Sequence, residues 1–129
     1  MTQLINTPSH RAARNAATIA TADAGPGPSS IKLYTAEGGT LLGTRTLAKP
    51  CGAITAEGRI ALLGAGVQDL VVASGTATWA EWCDGAGAPI AAGGVTDEAG
   101  AGPFKLKGAT GTAVYEGGVV ALDSTALLG

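Results

Sequence analysis

Few side chains in this chain have the chemistry to move a proton, hold a metal or attack a carbonyl. His10 is the only histidine, and it stands near the N-terminus, far in sequence from both cysteines. A Ser-His-Asp or Cys-His site would have to recruit it from there. An exposed polar residue on a helix is the simpler reading. Cys51 and Cys83 are the only thiols. With one histidine they give no zinc spacing, and they make no disulfide framework. As small buried hydrophobes they need no further role. Carboxylates remain: Asp97 and Glu98 are adjacent, and Glu81 and Asp84 lie beside the two tryptophans. Two carboxylates facing each other beside aromatics can cleave sugars. The plainer account makes Asp97 and Glu98 loop solubilisers, Asp84 a turn former and Glu81 a strand residue. No loop carries the run of oxygen ligands that calcium needs. Gly85-Ala-Gly87 and Gly100-Ala-Gly102 lack the following helix and lysine of a phosphate cradle. The chain reads as a non-enzyme without a cofactor or a metal site.

The tryptophans are the remaining candidates. Trp79 and Trp82 stand three apart in Gly75–Ala92, a stretch split by Asp84-Gly85. Strand-like residues flank that turn signal, so the stretch reads as a β-hairpin. In a regular strand residues three apart point to opposite faces. One ring then fills the core, and Trp79 is the preferred one. Trp82 is either a second core contact across a bulge or a surface anchor for a partner.

These residues need a body to hold them. The chain has 129 residues and reads as one domain. Gly is abundant at 21 residues, only 4% of residues are aromatic, and most of the hydrophobic share is Ala. Each large apolar side chain therefore carries more of the core. An isolated monomer of this composition is expected to be marginally stable and to gain from a partner that binds only the folded state. A net charge of −2 with scattered basic residues gives no nucleic-acid footprint. No apolar run is long enough to cross a membrane as a helix. Residues Met1–Pro8 lack the basic start and apolar run of a signal peptide, so the expectation is synthesis in the cytoplasm of a host cell.

Residues 1–29 read as an N-terminal arm with a Gly/Pro linker, and residues 30–129 as a β domain. Thr7-Pro8 fits an N-cap and a first-turn proline, opening a helix that runs to about Ala22. Ala12, Ala13, Ala16, Ala17, Ile19 and Ala20 form its apolar stripe, with His10, Arg11, Arg14, Asn15 and Thr18 off it. Such a helix is marginal alone in water. The segment is either a detachable arm, helical or extended, or a frayed tail. Gly25-Pro26-Gly27-Pro28 ends it. Strands are then expected over Ile31–Tyr34, Thr40–Leu47, Cys51–Ile54, Arg59–Leu63 and Asp69–Ala73, with Leu70 and Val72 sharing one face. The Trp hairpin follows, then Phe104–Lys107 with Phe104 and Leu106 inward. A last hairpin joins Ala113–Tyr115 to Val119–Leu122. Short strands at regular spacing with Gly-rich turns predict an all-β fold, an antiparallel β-sandwich or jelly-roll-like domain.

Several phrases carry a family likeness. They are Arg14-Asn15-Ala16, Ser30-Ile-Lys-Leu-Tyr34, Thr40-Leu-Leu-Gly-Thr-Arg-Thr-Leu-Ala-Lys-Pro-Cys-Gly52, Ser74-Gly-Thr-Ala-Thr-Trp79, Asp84-Gly-Ala-Gly87 and Tyr115-Glu-Gly-Gly-Val-Val-Ala-Leu122. In that order they resemble small structural proteins of tailed phages and prophages, above all the capsid cement, or decoration, proteins. The resemblance implies a β-sandwich or jelly-roll module on the outside of the head, without catalytic residues. It implies the major capsid protein as partner, a dimer or trimer on the capsid, and no nucleic acid or membrane. The virion surface is then its location. In that reading Arg11, Arg14 and Ile19 of the arm and Trp82 of the hairpin meet a partner. The rival reading is a receptor- or glycan-binding module of a tail or fibre, which would show an exposed aromatic platform.

Overall fold

The structure is a computed structural model that describes residues 7–66, 68–107, 111–120, 122, 127 and 128. The first six residues of the expected arm lie outside it. Helix α1 (Pro8–Ala22) begins and ends where the sequence predicts. The Thr7 hydroxyl accepts the His10 amide at 3.2 Å, and Pro8 occupies the first turn. The helix face, however, is not the alanine stripe. Ala13, Ala16, Ala17 and Ala20 are exposed, while Arg11, Ala12, Asn15, Thr18, Ile19 and Ala22 turn inward. The docking face is therefore built on polar groups that find backbone acceptors. The buried Asn15 side chain donates to the Gly58 carbonyl at 2.7 Å, and Arg11 donates to the Glu57 carbonyl at 2.7 Å. Asp23, just past the helix, accepts the Cys51 amide at 3.0 Å. The expected arm is folded back onto the body rather than held away from it.

Among the described residues, nine strands follow the helix: β1 (Ser30–Tyr34), β2 (Leu41–Ile54), β3 (Ile60–Gly64), β4 (Gly75–Thr76), β5 (Trp79–Cys83), β6 (Pro89–Asp97), β7 (Phe104–Leu106), β8 (Ala113–Val114) and β9 (Leu127–Leu128). Seven of them form one curled sheet in the order β7-β6-β5-β1-β2-β3-β9, and β4 pairs with β8 apart from it. The fold is β-rich, as expected. It is not wholly antiparallel, because β6 and β7 run parallel from Val95↔Phe104 to Asp97↔Leu106. The short return between them is possible because Gly100 and Gly102 press against Thr96, where a Cβ would have no room. The Thr96 hydroxyl accepts the Gly102 amide at 3.2 Å and holds the loop back along its own strand.

The two strands expected over residues 40–54 are one, β2, which pairs first with β1 and then with β3. Its register shifts between Leu47 and Gly52, around Pro50. A proline has no amide to give the ladder, so this irregularity sits where the sequence demands one. Among the described residues, which leave out Ala121, the last expected hairpin does not form between its own halves. Ala113–Val114 pairs with Gly75–Thr76, and Val119 bridges to Leu70. Segment 69–73, expected as a strand, forms only an isolated bridge at Leu70; Leu70 and Val72 share one face as expected, and that face points outward. Val71 is buried, while Leu70 and Val72 are 55% and 60% exposed.

The core lies on the inner face of the curled sheet. Ile31 and Leu33 of β1, Ala80 and Trp82 of β5, Leu42 and Leu47 of β2, and Ile60 of β3 meet there. Val71, Ala77 and Val120 close one side, and Ile19 and Ala22 of the helix close another. Phe104 and Leu106 point inward as predicted. Gly43 allows this closure: a Cβ there would stand 2.8 Å from Val120.

Candidate interaction surfaces

The residues with catalytic chemistry are not brought together. His10 is exposed on α1, and Asp97 and Glu98 are exposed at the turn that follows β6. The Asp97 carboxylate accepts the amides of Ala99 and Gly100, which is turn formation. Asp84 does the same for Ala86 and Ala88 in the β5–β6 hairpin. Cys51 and Cys83 are buried free thiols. Burial, and then the Asp23 carboxylate, push the Cys51 thiol up to about 12, and burial raises Cys83 as well. Both shifts disfavour the thiolate that a nucleophile or metal ligand needs. Among the described residues no group of three potential metal ligands gathers.

The hairpin places its two rings on opposite faces, as the spacing predicts, but the preferred assignment is reversed. Trp82 is the core residue at 2% exposure, directly across from Ile31. Its indole N–H donates to the Ser29 hydroxyl at 2.8 Å, and that hydroxyl donates to the Cys83 carbonyl at 2.6 Å. A ring with its one polar atom satisfied inside the fold is not a surface anchor. It borders a half-open cavity of about 240 Å³ beneath α1, with Ile60, Phe104 and Asn15 on the walls. Ile19 packs against the same core, and Arg11 is bonded to the Glu57 turn. Of the four residues expected to meet a partner, Arg14 is the one that is exposed rather than buried or half-buried.

Trp79 stands on the outer face of the sheet, half-buried, directly across from Tyr34 on β1. Glu81 shares that face, with Lys32 directly across from it. Burial first, then hydrogen bonding and charge from the diagonally placed Glu81 carboxylate, raise the pKa of the Tyr34 phenol. On β6 the partners of Trp79 and Glu81 are Gly94 and Ala92, so the floor beside the ring carries almost no side chain.

A second surface lies on the segments that close the core. Leu70, Val72, Tyr115 and Val119 are 55%, 60%, 61% and 52% exposed. Leu70 and Val119 are bridged, and the Val71 amide donates to the Gly118 carbonyl at 2.7 Å. One segment thus buries Val71 and turns its two neighbours outward. Exposed apolar side chains gathered in one place mark an interaction site more often than scattered ones do. The run Leu70-Val71-Val72 held that signal, since period-two alternation leaves one side of any such run outward. No family model, curated protein or solved structure matches this chain.

Proposed function

We propose that this protein is a non-enzymatic virion structural protein of a tailed phage or prophage. It binds the outside of the capsid and cements neighbouring major capsid subunits, with its curled sheet serving as a sandwich- or jelly-roll-like body. The observation that carries the reading is the apolar group Leu70, Val72, Tyr115 and Val119, each more than half exposed. The ordered phrases that resemble those of cement proteins support it from the sequence side. A stable contact buries about 800 Å² per partner. Four large apolar side chains supply the centre of such a contact, and copies associating as dimers or trimers would extend it. Modest affinity per copy suffices when many copies span many joints.

The test is whether the gene for this chain lies beside a major capsid gene and, with that capsid protein, occupancy on assembled heads. A Leu70→Asp, Val119→Asp double variant keeps its melting temperature, because both side chains point outward, and leaves heads bare. Wild-type occupancy by that variant removes the patch from the reading. A density map of intact particles that places the chain on the tail overturns the capsid assignment itself.

A further inference from the structure

We propose that the outer-face row centred on Tyr34 and Trp79 is a carbohydrate-binding platform, taking a neutral oligosaccharide of pyranose rings. The inference is independent of where the protein sits on a particle. The two rings are a directly opposed cross-strand pair on neighbouring strands, which lie about 4.8 Å apart. They therefore sit side by side, and Leu41, 38% exposed, and Gly94 extend the row across four strands. Aromatic faces carry negative charge density, which suits the C–H face of a sugar ring.

The chemistry of the adjoining row selects the ligand. Glu81 supplies acceptors and Lys32 supplies donors, and Thr44, across from Lys32, adds a hydroxyl. Sugar hydroxyls donate and accept, so a mixed row complements them. The two opposite charges stand directly across from each other and leave the platform without net charge. A polyanion such as nucleic acid would find one ammonium facing one carboxylate, although its bases could stack on the same rings. Beside Trp79, a Cβ built at Gly94 would meet nothing nearer than the Thr78 carbonyl at 3.9 Å. That leaves a shelf on which a second sugar ring can rest.

The experiment is calorimetric titration of the full chain with maltohexaose, cellohexaose, chitohexaose and mannohexaose, alongside a heparin octasaccharide. Saturable binding of at least one neutral hexamer is expected, with no preference for the polyanion. Trp79→Ala should weaken that binding by about tenfold or more, Tyr34→Ala and Glu81→Gln should weaken it less, and Leu70→Asp should leave it unchanged. Trp79→Ala should lower the melting temperature, since the ring is half-buried, yet keep a wild-type far-ultraviolet circular dichroism spectrum at the titration temperature. Failure of all four neutral hexamers to bind, binding unaltered in Trp79→Ala, or preference for heparin each overturns the proposal.

Discussion

At the scale of single residues, the Ser29 hydroxyl joins two strands. It accepts from the Trp82 indole and donates to the Cys83 carbonyl, both inside the core. Ser29→Ala strands a buried N–H and a buried carbonyl together. Each such loss costs about 1–3 kcal/mol, so urea unfolding of that variant should show a drop of roughly 2–6 kcal/mol. Trp82→Ala should cost more than Trp79→Ala, because the Trp82 ring is 2% exposed and the Trp79 ring is half-buried on the outer face. Equal losses in the two variants would contradict the assignment of Trp82 as the core ring. The sequence makes plain that the two rings diverge, because spacing in a strand fixes parity. It does not make plain which ring goes inside. That depends on β1 placing Ile31 beside Trp82 and on a serine arriving at the indole from another segment. For the same reason Tyr34 and Trp79 are invisible as a pair until the register of β1 against β5 is known.

Among the elements, the helix separates what local rules determine from what tertiary contacts determine. Its limits are legible, since Thr7, Pro8 and the Gly/Pro linker act on neighbouring backbone. Its docking face is not, because Asn15 and Arg11 are satisfied by carbonyls more than forty residues away. A stripe of alanines looks apolar to a periodicity count but offers little area to bury. The receptor for the helix is the Glu57-Gly58 turn. Gly58 has φ +82° and lies directly against Pro8 and Ala12, so any Cβ there collides with the helix. Gly58→Ala should therefore lift α1 from the sheet, and Asn15→Ala should weaken its hold by about 1–3 kcal/mol through one unsatisfied buried carbonyl. Amide exchange in α1 should accelerate in both variants while exchange in β1 and β5 changes little. Uniform acceleration across the sheet would mean that helix and sheet open as one unit. Deleting residues 1–28 should likewise destabilise the body by uncovering Ile60 and Trp82, rather than release an intact domain as a detachable arm would.

For the whole molecule, stability against pH follows from how the helix, the linker and the two halves of β2 meet. Cys51 lies at that junction, with its amide bonded to Asp23. Its thiol has a pKa near 12 in the fold against 9.0 as the ordinary value, because burial and the Asp23 carboxylate disfavour the thiolate. A raised acid pKa means that the folded state holds its proton more tightly than the unfolded chain does. The contribution is complete below about pH 9 and is lost as pH rises from 9 toward 12. The thiol of Cys83 and the phenol of Tyr34 shift in the same direction, also chiefly through burial. Three groups on β1, β2 and β5 thus bind protons more strongly in the fold, and unfolding on the alkaline side should release them together. The midpoint of urea unfolding should hold steady up to about pH 9 and fall steadily above it. Cys51→Ala should lower stability at pH 7 through lost packing yet make the alkaline decline shallower, bringing the variant and wild-type curves closer as pH rises. Parallel curves for the two proteins between pH 9 and 12 would show that Cys51 is not held protonated by the fold.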